Sequence, residues 1–151
     1  MRGLLIINLC LTVDPKRPVR GDSAFQTDLC VFEAKSTDVF IPRIVLEFKT
    51  GITTHDVLTY SAKARKHKQV YPYLRYGLIV SDSPVVPRRF FVHNESLDFF
   101  AALAGIDATK MKDLFSKLFT AEVQASRCLE EIGFGSLRPR VFRTEVQVDG
   151  L

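Results

Sequence analysis

This sequence has no apolar run long enough to cross a bilayer and no cysteine pattern that would staple a small secreted domain. The candidate run, Gly3 to Val13, is followed by Asp14, Lys16, Arg17 and Arg20. A spanning helix needs about 20 apolar residues, so no membrane partner is expected. A signal peptide can carry an apolar stretch of this length, but only Arg2 precedes it and no small-residue cleavage site follows. The three cysteines, Cys10, Cys30 and Cys128, are odd in number, widely spaced and without a CxxC. A disulfide framework or zinc site is therefore not expected, and a reducing cytoplasm fits best.

Internal repeats and low-complexity segments are also missing. With 46% hydrophobic and 25% charged residues, the composition is that of a folded domain and not of a disordered chain. Its 151 residues suit one domain spanning 1–151, which at this size buries roughly two-thirds of the chain's surface. A net charge of +4 permits a polyanionic partner without specifying one.

Gly3 to Val13 reads as a buried strand, and Asp14 to Gln26, with two prolines, a glycine and several charges, as a loop. Thr27–Ala34 and Pro42–Lys49 are dense in β-formers and read as a hairpin. Thr50-Gly51 breaks the second strand. Thr53, with Asp56 three residues on, then starts a helix over Thr54–Val70. Val57, Tyr60, Ala64 and His67 recur at helical spacing and should face the sheet. Tyr76–Val80 reads as another buried strand and Phe90–His93 as a short edge strand. Ser96–Ala104 and Thr109–Ile132 read as helices, and the alternation of Val141–Val148 as a final strand. The expected class is α/β (α+β), a central mixed β-sheet flanked by helices. Its core would span about 1–95, and a helical extension with a closing strand about 96–151.

One group of residues carries chemistry. Asp28 opens the second strand, and Glu47 and Lys49 lie two apart near the end of the third. Side chains two apart on a strand share a face. Nineteen residues separate Asp28 from Glu47, enough for two neighbouring strands and a turn. If the register sets Asp28 beside Glu47, the two carboxylates can share one hard cation, with the backbone carbonyl of Phe48 as a third oxygen. Lys49 would stand beside an attacking water. Such a set suits phosphodiester hydrolysis, which needs charge neutralised on the phosphate and a water held in line. The competing reading makes Glu47 and Lys49 a solvent-facing ion pair of little energetic weight.

Asp28-Leu29-Cys30-Val31-Phe32 and Ile44-Val45-Leu46-Glu47-Phe48-Lys49-Thr50-Gly51, followed by a helix and an apolar strand, resemble the PD-(D/E)xK nuclease superfamily over roughly Gly21 to Val80. The resemblance implies a restriction-endonuclease-like core and a Mg2+-dependent enzyme (Mn2+ substituting) that cuts DNA to 5′-phosphate and 3′-hydroxyl ends. It implies that Asp28 and Glu47 bind metal and that Lys49 orients or activates the water. Gln69 and Tyr73, four apart, resemble the glutamine and tyrosine that some exonuclease-like members place beside the site. The pattern departs from the superfamily in one respect. Many members have a first helix with a further acidic residue, and none precedes Gly3 here. The expectation is that this helix is absent or that the chain belongs to a longer protein.

Other residues have both a functional and an ordinary reading. His55, in the first helical turn, could touch phosphate or act as a surface residue. Asp22 competes with Asp28 or serves a second cation. Lys63, Lys66 and Lys68 on the helix, with Arg17 and Arg20 before the second strand, are candidate phosphate contacts or solvated charges. The apolar stripe Met111, Leu114, Phe115, Leu118 and Phe119 is either core cover or a homodimer interface. Three functions compete. They are a DNA endonuclease of restriction, defence or repair, a non-catalytic nucleic-acid-binding or scaffolding subunit, and the nuclease domain of a larger complex.

Overall fold

A computed structural model describes residues 4–7, 26–37 and 39–149. The hairpin lies at its centre. Strands β2 (Leu29–Ala34) and β3 (Phe40–Lys49) pair antiparallel, with Leu29 opposite Leu46 and Cys30 opposite Val45. β1 (Leu4–Ile7) extends the sheet antiparallel to β2. On the other side β4 (Arg75–Val80) runs parallel to β3, and β5 (Phe99–Ala102) parallel to β4. The order β1-β2-β3-β4-β5 makes a five-stranded mixed sheet. A parallel neighbour requires a crossover. Helix α1 (Thr54–Val70) supplies the crossover from β3 to β4, and the short helix α2 (Arg88–His93) lies in the one from β4 to β5.

Strand alternation sends side chains to two cores. Cys30, Phe32, Val45, Tyr76 and Leu78 pack with Val57 and Ala64 of α1. Val31, Ile44, Leu46, Ile79, Phe99 and Ala101 pack on the opposite face with Val123 of helix α3 (Ala108–Gly133), and Leu114, Phe115, Leu118 and Phe119 join them. Leu114, Phe115, Leu118 and Phe119 of the α3 stripe thus pack on this core and remain partly exposed. The mixed sheet flanked by helices is the expected α+β class. Gly77 lies opposite Phe99, and a Cβ there would run into the Phe99 ring, so the β4–β5 pair depends on its absence.

Three local expectations change. Phe90–His93 falls in helix α2 instead of an edge strand. Pro87 precedes its first turn, Phe90 is buried, and Asn94, which caps its C-terminal end, is tied to α1 through Ser61. Ser96–Ala104 contains β5 instead of a helix, because its apolar residues go to both faces: Leu97 to the α1 core, Phe99 and Ala101 to the α3 core. Val141–Val148 forms neither strand nor helix. Of the expected strand Gly3 to Val13 only Leu4–Ile7 is described, and Asp14 to Phe25 lie outside the described residues.

β3 carries an irregularity where Val31 pairs with Ile44 but Phe32 with Pro42, leaving Arg43 as the extra residue. A bulge of this kind re-aims a side chain. Arg43 is fully buried. It donates to Glu33 Oε2 through Nε (2.8 Å), to Glu130 Oε2 through Nη2 (2.6 Å) and to Ser126 through Nη1 (3.3 Å), and it lies over the Tyr73 ring. Arg127 closes on Glu33 from outside at 2.9 Å. The network locks the end of α3 to the hairpin. Arg43→Ala leaves Glu33 to Arg127 alone and takes the Arg43 partner from Glu130, and is expected to cost about 3 kcal/mol. Urea unfolding measures it, and a loss below about 1 kcal/mol would show that the network holds no weight.

Candidate active site

The register answers the question on which the sequence argument turned. Pairing of Leu29 with Leu46, continued one step, sets Asp28 opposite Glu47. Asp28 and Glu47 lie on the α1 face, as Cys30 and Val45 do. The Asp28 carboxylate takes over from the backbone ladder: its Oδ2 accepts the Phe48 N–H at 2.7 Å. On the other edge of β3, Ser81 N–H donates to the Lys49 carbonyl at 2.9 Å. Successive carbonyls of a strand point to opposite edges. The Phe48 carbonyl therefore lies on the Asp28 side, where a third oxygen ligand is needed.

Glu47 is 1% exposed. Lys63 Nζ donates to its Oε1 at 2.6 Å and Tyr76 Oη to the same oxygen at 2.5 Å. Lys63 also donates to the Gln26 carbonyl at 2.8 Å. Burial pushes the Glu47 carboxyl above its ordinary range. The charge of Asp28 adds to that, and Lys63 and Tyr76 offset only part of it. Burial likewise raises the Tyr76 phenol, helped by the Glu47 charge, so Tyr76 remains a proton donor to Glu47.

Lys49 points to the same face and pairs with Asp56 at 3.2 Å, its ammonium 5.9 Å from the Tyr60 ring centroid. Hydrogen bonding to Asp56, with the influence of Tyr60, raises its pKa, so it is a cation at neutral pH. Asp56 also closes the α1 capping box: its Oδ2 accepts the Thr53 N–H at 2.8 Å, and its own N–H donates to Thr53 Oγ1. The Thr53 hydroxyl also donates to Asp56 Oδ2 at 2.7 Å, and that bond is the main influence holding the Asp56 carboxyl below its ordinary value. A surface ion pair between Glu47 and Lys49 is not what the fold builds, since each has a different partner and Glu47 is buried. Beyond Lys49 an open cleft is lined by Phe48, Lys49, Thr50, Ile79, Ser81 and Leu103.

Other candidates fall elsewhere. Tyr73 is buried against Arg43, four residues before Glu47 on β3, and Gln69 is exposed at the end of α1. His55 is exposed, 3.4 Å from Thr59 Oγ1. Lys63 turns inward to Glu47 instead of outward as a phosphate contact. Lys68 pairs with Asp98 at 2.7 Å, and Lys66 is exposed. Asp22, Arg17 and Arg20 lie outside the described residues. The contacts of Tyr76 and Lys63 with Glu47 are not foreseen in the sequence, although Lys63 stands there as a candidate phosphate contact. Tyr76 pairs with Val45 in the parallel register, which puts it on the Glu47 face. Lys63 follows the sheet-facing Tyr60 by three, which was the usable signal.

Among the described residues no cluster of three or more His, Cys, Asp or Glu could hold a metal ion. The donor set is two carboxylates and one carbonyl. These are hard oxygens, and they suit a cation such as Mg2+ that keeps several of its own waters. Cys30 and Cys128 are free thiols, and no helix among the described residues is long and apolar enough to cross a membrane. No protein-family model matches the chain, and no curated protein matches it either.

A raised carboxyl pKa has a sign. Between about 4.5, the ordinary glutamate value, and the raised value, folded Glu47 binds more protons than unfolded Glu47, so stability falls as pH rises through that window. Glu47→Gln is therefore expected to melt above the wild type at mildly alkaline pH, with the gap closing toward about pH 4.5. Thermal melts across pH check this. A variant less stable at alkaline pH would mean that the Lys63 pair outweighs burial.

Proposed function

We propose that this chain is a Mg2+-dependent deoxyribonuclease of the PD-(D/E)xK type, acting in the cytoplasm as an endonuclease. The observation that carries the reading is the 2.7 Å hydrogen bond from Phe48 N–H to Asp28, which sets that carboxylate against the end of β3 where Glu47 and Lys49 share a face. Asp28, Glu47 and the Phe48 carbonyl would hold the cation. When bound, that cation supplies charge neutralisation at the scissile phosphate and a more acidic water. Mn2+ has the same preference for oxygen and should substitute.

The chain's own residues divide the remaining work. Lys49 is protonated, so it donates: it orients the attacking water and meets the charge that develops on the phosphate. Asp56 and the Tyr60 ring hold it in place. Lys63 and Tyr76 fix one oxygen of Glu47 and leave the carboxylate's other oxygen for the cation. Water adds to phosphorus as the bond to the 3′ oxygen breaks; the water gives up a proton to solvent and the leaving 3′ oxygen takes one from solvent, giving 5′-phosphate and 3′-hydroxyl ends. Exposed Arg65 and Lys66 on α1 would add salt-sensitive, sequence-independent affinity for the backbone.

A second reading draws on Lys63. Its ammonium already compensates Glu47 at 2.6 Å, as would suit a nucleic-acid-binding module that does not cut. Labelled single-stranded, duplex and branched DNA, and RNA, incubated with Mg2+ or Mn2+, separate the two. The nuclease reading expects metal-dependent cleavage of DNA, abolished by Glu47→Ala and slowed about 10²–10³-fold by Lys49→Ala. Intact substrates throughout, with no heat of Mg2+ binding in calorimetry, would sink it in favour of the binding module.

A further inference from the structure

Residues 136–149 are all exposed, and none belongs to a helix or strand. They are not a polar tail. Val141, Phe142, Val146 and Val148 are 69–83% exposed, the most exposed large apolar side chains among the described residues. Apolar area left in water to this extent usually marks a surface that something covers.

The segment has a β pattern. Phe142, Thr144, Val146 and Val148 alternate with Val141, Arg143, Glu145 and Gln147. Arg143 and Glu145 reach the same side, their charges 2.6 Å apart, as period-two spacing requires. It is also complementary to itself. Two copies running antiparallel about a two-fold axis through Thr144 set Arg143 opposite Glu145 twice, with Phe142 opposite Val146 twice and Thr144 opposite Thr144. One face of that ribbon carries the two Phe142–Val146 pairs about Thr144, with Arg140 opposite Val148 at its ends, and the other carries two opposite-charge pairs. Sliding the register by one residue sets Phe142 against Glu145 or Gln147 and separates the charges. Pro139, which cannot donate to a ladder, bounds the ribbon.

We infer that residues 140–148 are a dimerisation strand whose partner is the same segment of a second copy of this chain. The contact is isologous and closes at two copies, so it does not propagate into a filament. It is independent of the chemistry at Glu47. Cross-strand pairs contribute only about 0.2–1 kcal/mol each, and a two-stranded ribbon alone is marginal. The dimer is therefore expected to form on concentration and dissociate on dilution.

Sedimentation equilibrium over a wide concentration range tests the inference on the whole chain. The wild type should rise from the chain mass toward twice that value. Arg143→Glu and Glu145→Arg, each placing like charges opposite one another, should remain monomeric. An equimolar mixture of the two should regain the doubled mass, because each supplies the charge the other lacks. The double variant carrying both substitutions should dimerise alone. The substituted side chains are exposed, so at dilutions where every chain is monomeric the variants should match the wild type in circular dichroism. A wild type that stays monomeric, a dimer that survives either single reversal, or a mixture that fails to recover would each overturn it.

Discussion

Burying the Glu47 carboxylate at the end of β3 obliges its neighbours to supply positive charge and hydrogen bonds, because an ion left alone in the interior is costly. β4 brings Tyr76, and α1 brings Lys63 across the same face. The strand–helix–strand unit thus does more than cover a sheet: each of its later elements delivers one group to a residue on the first. Asp28 enters from the other side through the hairpin. Four segments converge on one carboxylate, and the pairing of the sheet fixes how they meet.

β3 carries two buried charge clusters, and they differ in kind. Toward its start Arg43 meets Glu33. There burial pushes the carboxyl up, but hydrogen bonds from Arg127 and Arg43 outweigh it and hold Glu33 below its ordinary value. Toward its end Glu47 remains above its ordinary value in spite of Lys63. The first cluster is electrostatically settled and has the character of a structural tie. The second leaves negative charge under-compensated, which favours a further cation. Unequal compensation within one strand distinguishes its two ends, and the proposed function draws on the Glu47 end.

Much of this was legible in the sequence. β-dense segments, a glycine break and a capping box give the hairpin and the helix after it, and the two-residue spacing of Glu47 and Lys49 gives their shared face. What failed depended on contacts distant in sequence. β5 looked helical because its residues are apolar on both sides, the known ambiguity of fully buried strands. α2 is rich in Phe and Val, yet it is a helix tied to α1 by Asn94 and Ser61. Tyr73 and Tyr76 could not be ranked without the parallel register, which sends one to Arg43 and the other to Glu47. Lys63 looked like any solvated lysine until α1 was seated on the sheet.

The Asp56 carboxylate closes the first turn of α1 with one oxygen and holds Lys49 with the other. Helix ends are where native structure opens first. The lysine of the site is therefore tethered to the part of α1 most prone to fray, and its order is inseparable from helix initiation. Whatever firms that first turn also restrains the lysine, and whatever loosens the turn releases it, with the sheet and both cores untouched.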